Sequence, residues 1–115
     1  YLTVEGSGGI ICPLRWDEKE HVILDDLVLR LGLSALVVAD AGLGTINAAV
    51  LTAEHLKACG IPLVGFIFNN WVGGTMEEDN VRMVEALTGA PVLARVPHGA
   101  EELPMAAEDL AILYN

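Results

Sequence analysis

Three short apolar runs constrain this chain most: "ALVVA" (35–39), "LVGFIFN" (63–69) and "PVLARV" (91–96). Each is rich in Val, Ile, Leu or Phe and lacks the strict alternation of a half-solvated strand. Each therefore reads as a strand buried on both faces. Helical patterns separate them. In 45–59, Ile46, Ala49, Val50, Ala53 and Leu56 form one stripe, and Gly60-Ile61-Pro62 ends the run. In 76–88, acidic Glu77, Glu78 and Asp79 suit a helix start, and Val81, Val84 and Leu87 give the inner face. Two further runs, "YLTVE" (1–5) and "IIC" (10–12), read as strands around a glycine turn. A helix is expected over 19–31, with Ile23, Leu24, Leu27, Val28 and Leu31 inward and Gly32 as its stop, and a last one over 105–113. The alternation predicts an α/β fold: a three-layer, mostly parallel sheet with flanking helices.

The 115 residues suffice for one domain. The hydrophobic fraction is 53%, which fits a sheet covered on both faces, a piece of a larger domain or a subunit with a large interface. No apolar stretch reaches the roughly 20 residues of a membrane helix. Six Lys+Arg against sixteen Asp+Glu, a net charge of −10, argue against non-specific nucleic-acid binding. Cys12 and Cys59 form no C-x-x-C pair and suit buried free thiols in a reducing cytoplasm. The chain opens on an apolar run that enters a glycine turn, so further sequence is expected upstream.

In parallel α/β sheets, ligands bind beyond the carboxyl ends of the strands. That rule singles out the turns at 5–9, 40–47, 69–75 and 97–102. The turn "DAGLGTIN" (40–47) invites comparison with a phosphate loop, but G-x-x-x-x-G-K-S/T fails. The two lysines, Lys19 and Lys57, do not follow a glycine. G-x-G-x-x-G fails too, because Asn47 stands at the third glycine. What remains is a helix start whose free N–H groups attract an anion. In "VEGSGG", Glu5 at a strand end could hold Mg²⁺, and glycines let a ligand approach the backbone. Asn69 and Asn70 offer amides able to read a purine edge, and Pro97-His98-Gly99 forms a rigid loop. His21, His55 and His98 are expected to be structural or solvated, Asp25-Asp26 and Glu77-Glu78-Asp79 to be solvated helix faces, and Trp16 and Trp71 to pack in loops.

Taken in order, "TVEGSGGIICPL", "VVADAGLGTINAAVLTAEHLKACGIPLVGFIFNN" and "PVLARVPHG" resemble the C-terminal half of ATP-dependent dethiobiotin synthetases. The resemblance implies a P-loop NTPase-like fold, of which residues 1–115 form the C-terminal portion. It implies an enzyme that closes a cyclic urea from 7,8-diaminononanoate, CO₂ and MgATP in biotin synthesis, by way of a carbamate that ATP phosphorylates. It further implies a cytoplasmic homodimer with its site at the interface. Under this resemblance Glu5 is the Mg²⁺ ligand, and Gly6, Ser7 and Gly8 lie beside the nucleotide. Asn69, Asn70, Pro97, His98 and Gly99 read adenine, and Gly44, Thr45, Ile46 and Asn47 receive the substrate carboxylate from the neighbouring subunit.

The P-loop, its lysine, a second lysine and an early aspartate belong to the family's N-terminal half and lie outside these residues. Without their charge stabilisation this portion alone is expected to be inactive, and it carries no catalytic residue of its own. A ribose-binding glutamate is expected near the end, among Glu101, Glu102 and Glu108. Two other readings stand beside this one. Cobyrinate amidation enzymes share the scaffold, although no amidotransferase cysteine–histidine pairing is visible. A non-catalytic regulatory module could instead have kept the small-acid site and lost ATP chemistry.

Overall fold

A computed structural model describes residues 1–114. The elements run β1 (Pro13–Trp16), β2 (His21–Ile23), α1 (Leu24–Leu31), β3 (Ala35–Asp40), α2 (Thr45–Cys59), β4 (Leu63–Trp71), α3 (Thr75–Thr88), β5 (Val92–Pro97) and α4 (Ala107–Ile112). Strands β3, β4 and β5 form a parallel sheet in that order, joined through α2 and α3. The expected α/β class is therefore present.

The core lies between this sheet and the two connecting helices. Phe66 and Phe68 of β4 are fully buried with Ala49 and Ala53 of α2 and Val81 and Val84 of α3. Successive strand residues face opposite ways, so Val37 and Ala39 join this core while Leu36 and Val38 leave it. Val38 stays 63% exposed, because β3 is the sheet edge and no described element covers that flank. The expectation of strands buried on both faces thus fails along β3. Gly65 marks the closest approach in the sheet. A Cβ there would stand 2.7 Å from the Pro91 carbonyl and 2.9 Å from Leu93. The helices end as expected, with Gly32, Gly60 and Gly89 in the left-handed region, where a side chain would be strained. Leu87, expected inward, is 52% exposed.

The N-terminal part departs most from expectation. Residues 1–5 and 10–12 form no strand. Tyr1 and Leu2 are exposed, the Tyr1 ring packs on Tyr114, and the Thr3 hydroxyl meets the Tyr114 hydroxyl. A strand needs a hydrogen-bonded neighbour, and none among the described residues lies beside this run. The helix expected from residue 19 begins at Leu24, because His21–Ile23 pair antiparallel with Pro13–Trp16 instead. Asp17 fixes that hairpin turn by accepting the N–H groups of Lys19 and Glu20, each at 2.8 Å. The Arg15 guanidinium, aided by these N–H groups, holds the Asp17 carboxyl below its usual range. Trp16 ends β1 stacked on His21, and Trp71 ends β4 beneath Arg95, so neither tryptophan lies in a loop.

Candidate functional site

The carboxyl ends of β3, β4 and β5 come together, and a chain of hydrogen bonds ties their turns. Asp40, the last residue of β3, accepts the Gly42 N–H at 2.8 Å with one oxygen and the Asn70 amide at 3.1 Å with the other. The Gly42 N–H and then the Asn70 amide favour the ionised form, which lowers the Asp40 pKa. Asp40 can only accept, so the Asn70 amide orientation is fixed and its oxygen faces His98 Nδ1 at 2.9 Å. His98 therefore carries a proton on Nδ1. Asn70 holds a φ of +56°, a left-handed conformation that asparagine tolerates better than most residues. Three turns far apart in sequence thus share one polar tie.

The turn after β3 is braced from behind. Asn80 of α3 is buried and donates to the Ala41 and Gly42 carbonyls at 3.0 and 3.2 Å. Glu77 is also buried, accepting the N–H groups of Val72 and Gly73 at 3.0 and 2.7 Å. Glu77 is therefore a turn brace and not a solvated face, since a carboxylate survives burial where N–H donors satisfy it. The sequence reading passes over Asn80, takes Glu77 for a solvated helix face and includes Asp40 only as the first residue of the 40–47 turn. Only Asp40 leaves a signal there, as a charged residue closing an apolar strand.

At the start of α2, Gly44 has a φ of +92°, and the N–H groups of Ile46 and Asn47 have no acceptor among the described residues. Thr45 is buried, and its Oγ1 has no hydrogen-bond partner among the described residues. Such orphan donors at a helix start favour an anion. Beside them lies a cleft of about 370 Å³, lined by Val37, Val38, Asp40, Gly44, Thr45 and Thr52.

Of the site residues expected from sequence, Asn69, Asn70, Pro97, His98 and Gly99 gather with the Gly44, Thr45, Ile46 and Asn47 turn at one end of the sheet. Glu5, Gly6, Ser7 and Gly8 do not join this network by any described hydrogen bond. They lie in an exposed segment, where Gly6 touches Leu24 closely enough that a Cβ would collide with it.

Elsewhere, Asp25 is 6% exposed and bonds His55 Nε2 at 2.8 Å, with Cys59 beside both. This corrects the expectation that Asp25 is solvated, while His55, expected to be structural or solvated, is bonded to it. The i, i+4 spacing of His55 and Cys59 on a helix is a signal in the sequence, but Asp25, 30 residues away, is joined to them only by folding.

Fold and site together define an α/β protein whose strand-end turns gather at one end of a parallel sheet. The AAA domain family matches residues 1–103, and the chain belongs to that family. It is 42% identical over 104 residues to the ATP-dependent dethiobiotin synthetase BioD of Brachyspira hyodysenteriae, covering 90% of this chain and 47% of that protein. The protein of the same name from Clostridium acetobutylicum is 36% identical over 115 residues, covering 100% of this chain and 47% of its own length. The one from Clostridium novyi is 40% identical over 98 residues, covering 84% and 41%. The chain spans about half the length of the curated relatives it matches.

Proposed function

We propose that residues 1–115 are the C-terminal portion of a single dethiobiotin synthetase α/β domain. Its whole protein joins 7,8-diaminononanoate and CO₂ into a cyclic urea at the expense of ATP. The observation that carries this reading is the likeness over nearly the whole chain to proteins named ATP-dependent dethiobiotin synthetase. MgATP, when bound, supplies the phosphoryl group that activates a carboxylated amine and the metal charge that eases its transfer.

The chain's own residues hold and orient. The orphan N–H groups of Ile46 and Asn47 and the unpartnered Thr45 hydroxyl suit the substrate carboxylate, and Gly44 lets the chain turn there. In the proposed homodimer that carboxylate belongs to a substrate held largely by the other subunit. The residues fit an adenine in part. Asn69 is exposed with no described side-chain partner, and Asn70 keeps one amide hydrogen and one lone pair beyond its bonds to Asp40 and His98. Pro97, His98 and Gly99 would border the base. Glu5 fits Mg²⁺ as a single carboxylate in a glycine turn with Gly6, Ser7 and Gly8, so the remaining ligands would be phosphate oxygens and groups outside these residues. A cytoplasmic setting belongs to the same reading. No described helix is long and apolar enough to cross a membrane.

The test is MgATP-dependent dethiobiotin formation by the natural protein that carries this chain. Activity is expected. Thr45→Val should raise KM for diaminononanoate about 10-fold or more, the worth of a hydrogen bond to a charged group, with kcat changed less. ATP-independent binding of small carboxylic acids with no turnover would overturn the proposal in favour of a non-catalytic small-acid module.

A further inference from the structure

The Asp25–His55–Cys59 cluster lies apart from the strand-end turns. His55 and Cys59 are near the C-terminus of α2. Thr45 starts that helix, and 14 residues at about 1.5 Å each put Cys59 roughly 20 Å from the anion site. Each of the three side chains offers one ligand atom, and these atoms all lie within 4.8 Å of one another. The separations are 2.8 Å from Asp25 Oδ2 to His55 Nε2, and 3.5 Å from Cys59 Sγ to each of them.

We propose that Asp25, His55 and Cys59 form a binding site for a Zn²⁺-type divalent cation, unrelated to any Mg²⁺ that travels with ATP. Three features carry it. First, a zinc ion bound tetrahedrally at about 2.0 Å from O and N and about 2.3 Å from S holds its ligands about 3.3 Å (N to O) and about 3.5 Å (to S) apart. Both sulfur distances already match, and only the Asp25–His55 pair must open, by about half an ångström. Second, the donor set is a mixed O, N and S one. That set selects a borderline-soft transition ion and disfavours Mg²⁺ or Ca²⁺, which take oxygen ligands. Third, Asp25 is buried with no Lys or Arg beside it among the described ion pairs, so a dication would neutralise a carboxylate that otherwise has a histidine and a thiol for company.

Asp25 accepts only, so the His55 proton now sits on Nε2. Binding requires that proton to move to Nδ1, and the Cys59 thiol proton to leave to solvent. Three protein ligands leave the fourth position for water. The ion would clamp α1, and with it the β1–β2 hairpin, to the end of α2. Its distance from the strand-end turns makes this a structural role.

The experiment is Co²⁺ titration of the metal-stripped intact protein, followed by optical absorption. One equivalent should give a thiolate-to-cobalt charge-transfer band, displaced stoichiometrically by Zn²⁺. The band should persist in Cys12→Ser and vanish in Cys59→Ser. Asp25→Asn should weaken Zn²⁺ binding by more than about 10–100-fold, the effect of losing a mere outer partner. A second measurement needs no variant. Zn²⁺ should slow alkylation of Cys59 but not Cys12, read by peptide mass spectrometry. Absence of the charge-transfer band in the unmodified protein, its survival in Cys59→Ser, or equal alkylation of Cys59 with and without Zn²⁺ would overturn the site.

Discussion

Two glycine turns of this chain look alike in sequence and differ in the structure. "EGSGG" at 5–9 and "DAGLG" at 40–44 each follow an apolar run and begin with an acidic residue. The second is built. Asp40 ends a strand paired along its length with β4, Ala41 is fully buried, and Asn70 and Asn80 hold the turn from two sides. The first is an exposed segment whose preceding residues lean on Tyr114. A binding turn is therefore as rigid as the strand that delivers it, and that strand is as stable as its neighbours. β3 has β4 on one edge and α2 above it, whereas residues 1–5 have no paired strand among the described residues.

This contrast can be broken at its strong end first. Phe68→Ala empties the fully buried centre of β4 and should cost about 3–5 kcal/mol in urea unfolding, enough to loosen the turns after β3 and β4 together. Gly65→Val should cost about 1–3 kcal/mol by overpacking, since its side chain would enter the Pro91 carbonyl and Leu93. Gly9→Ala, where a Cβ meets nothing within 4 Å, is the quiet counterpart. Asn80→Ala strips the Ala41 and Gly42 carbonyls of a buried donor, an expected loss of about 1–3 kcal/mol.

Acid sharpens the comparison more gently. The folded Asp40 pKa lies below its ordinary 3.8, so ionised Asp40 stabilises the fold fully above that value. The contribution is lost as pH falls from there through the lowered folded pKa. Asp40→Asn should therefore flatten that part of an acid titration, followed by backbone amide shifts of Gly42. The smallest effect is expected at the weak end. Val4→Ala removes methyl groups that are already half exposed and should stay within about 0.5 kcal/mol of the parent.

The legibility of the sequence follows the same divide. β3, β4 and β5, with α2 and α3, were readable because strand and helix periods and glycine stops agreed locally. "YLTVE" carries the same local signal as "ALVVA", yet it forms no strand, because strand formation depends on a partner that the run itself does not encode. "HVI" sits in a helical pattern and pairs as a strand, since the Asp17 turn folds it onto Pro13–Trp16. At the site, asparagines and glycines at strand ends were visible as candidates. The roles of Glu77 and Asn80 were not, because a solvated and a buried helical carboxylate or amide look the same in a string.

By itself, then, the sequence determined the α/β class, the parallel core strands and the glycine stops that end the helices. These rest on periodicity and backbone preference, which are local properties. Tertiary structure alone decided that Asp40, Asn70 and His98 form one hydrogen-bonded chain, that no described strand pairs with the outer edge of β3, and that Asp25 meets His55 and Cys59. Each of these joins residues roughly 30 positions apart, or depends on what lies beside a strand, and distance in space is set by packing and not by spacing along the chain.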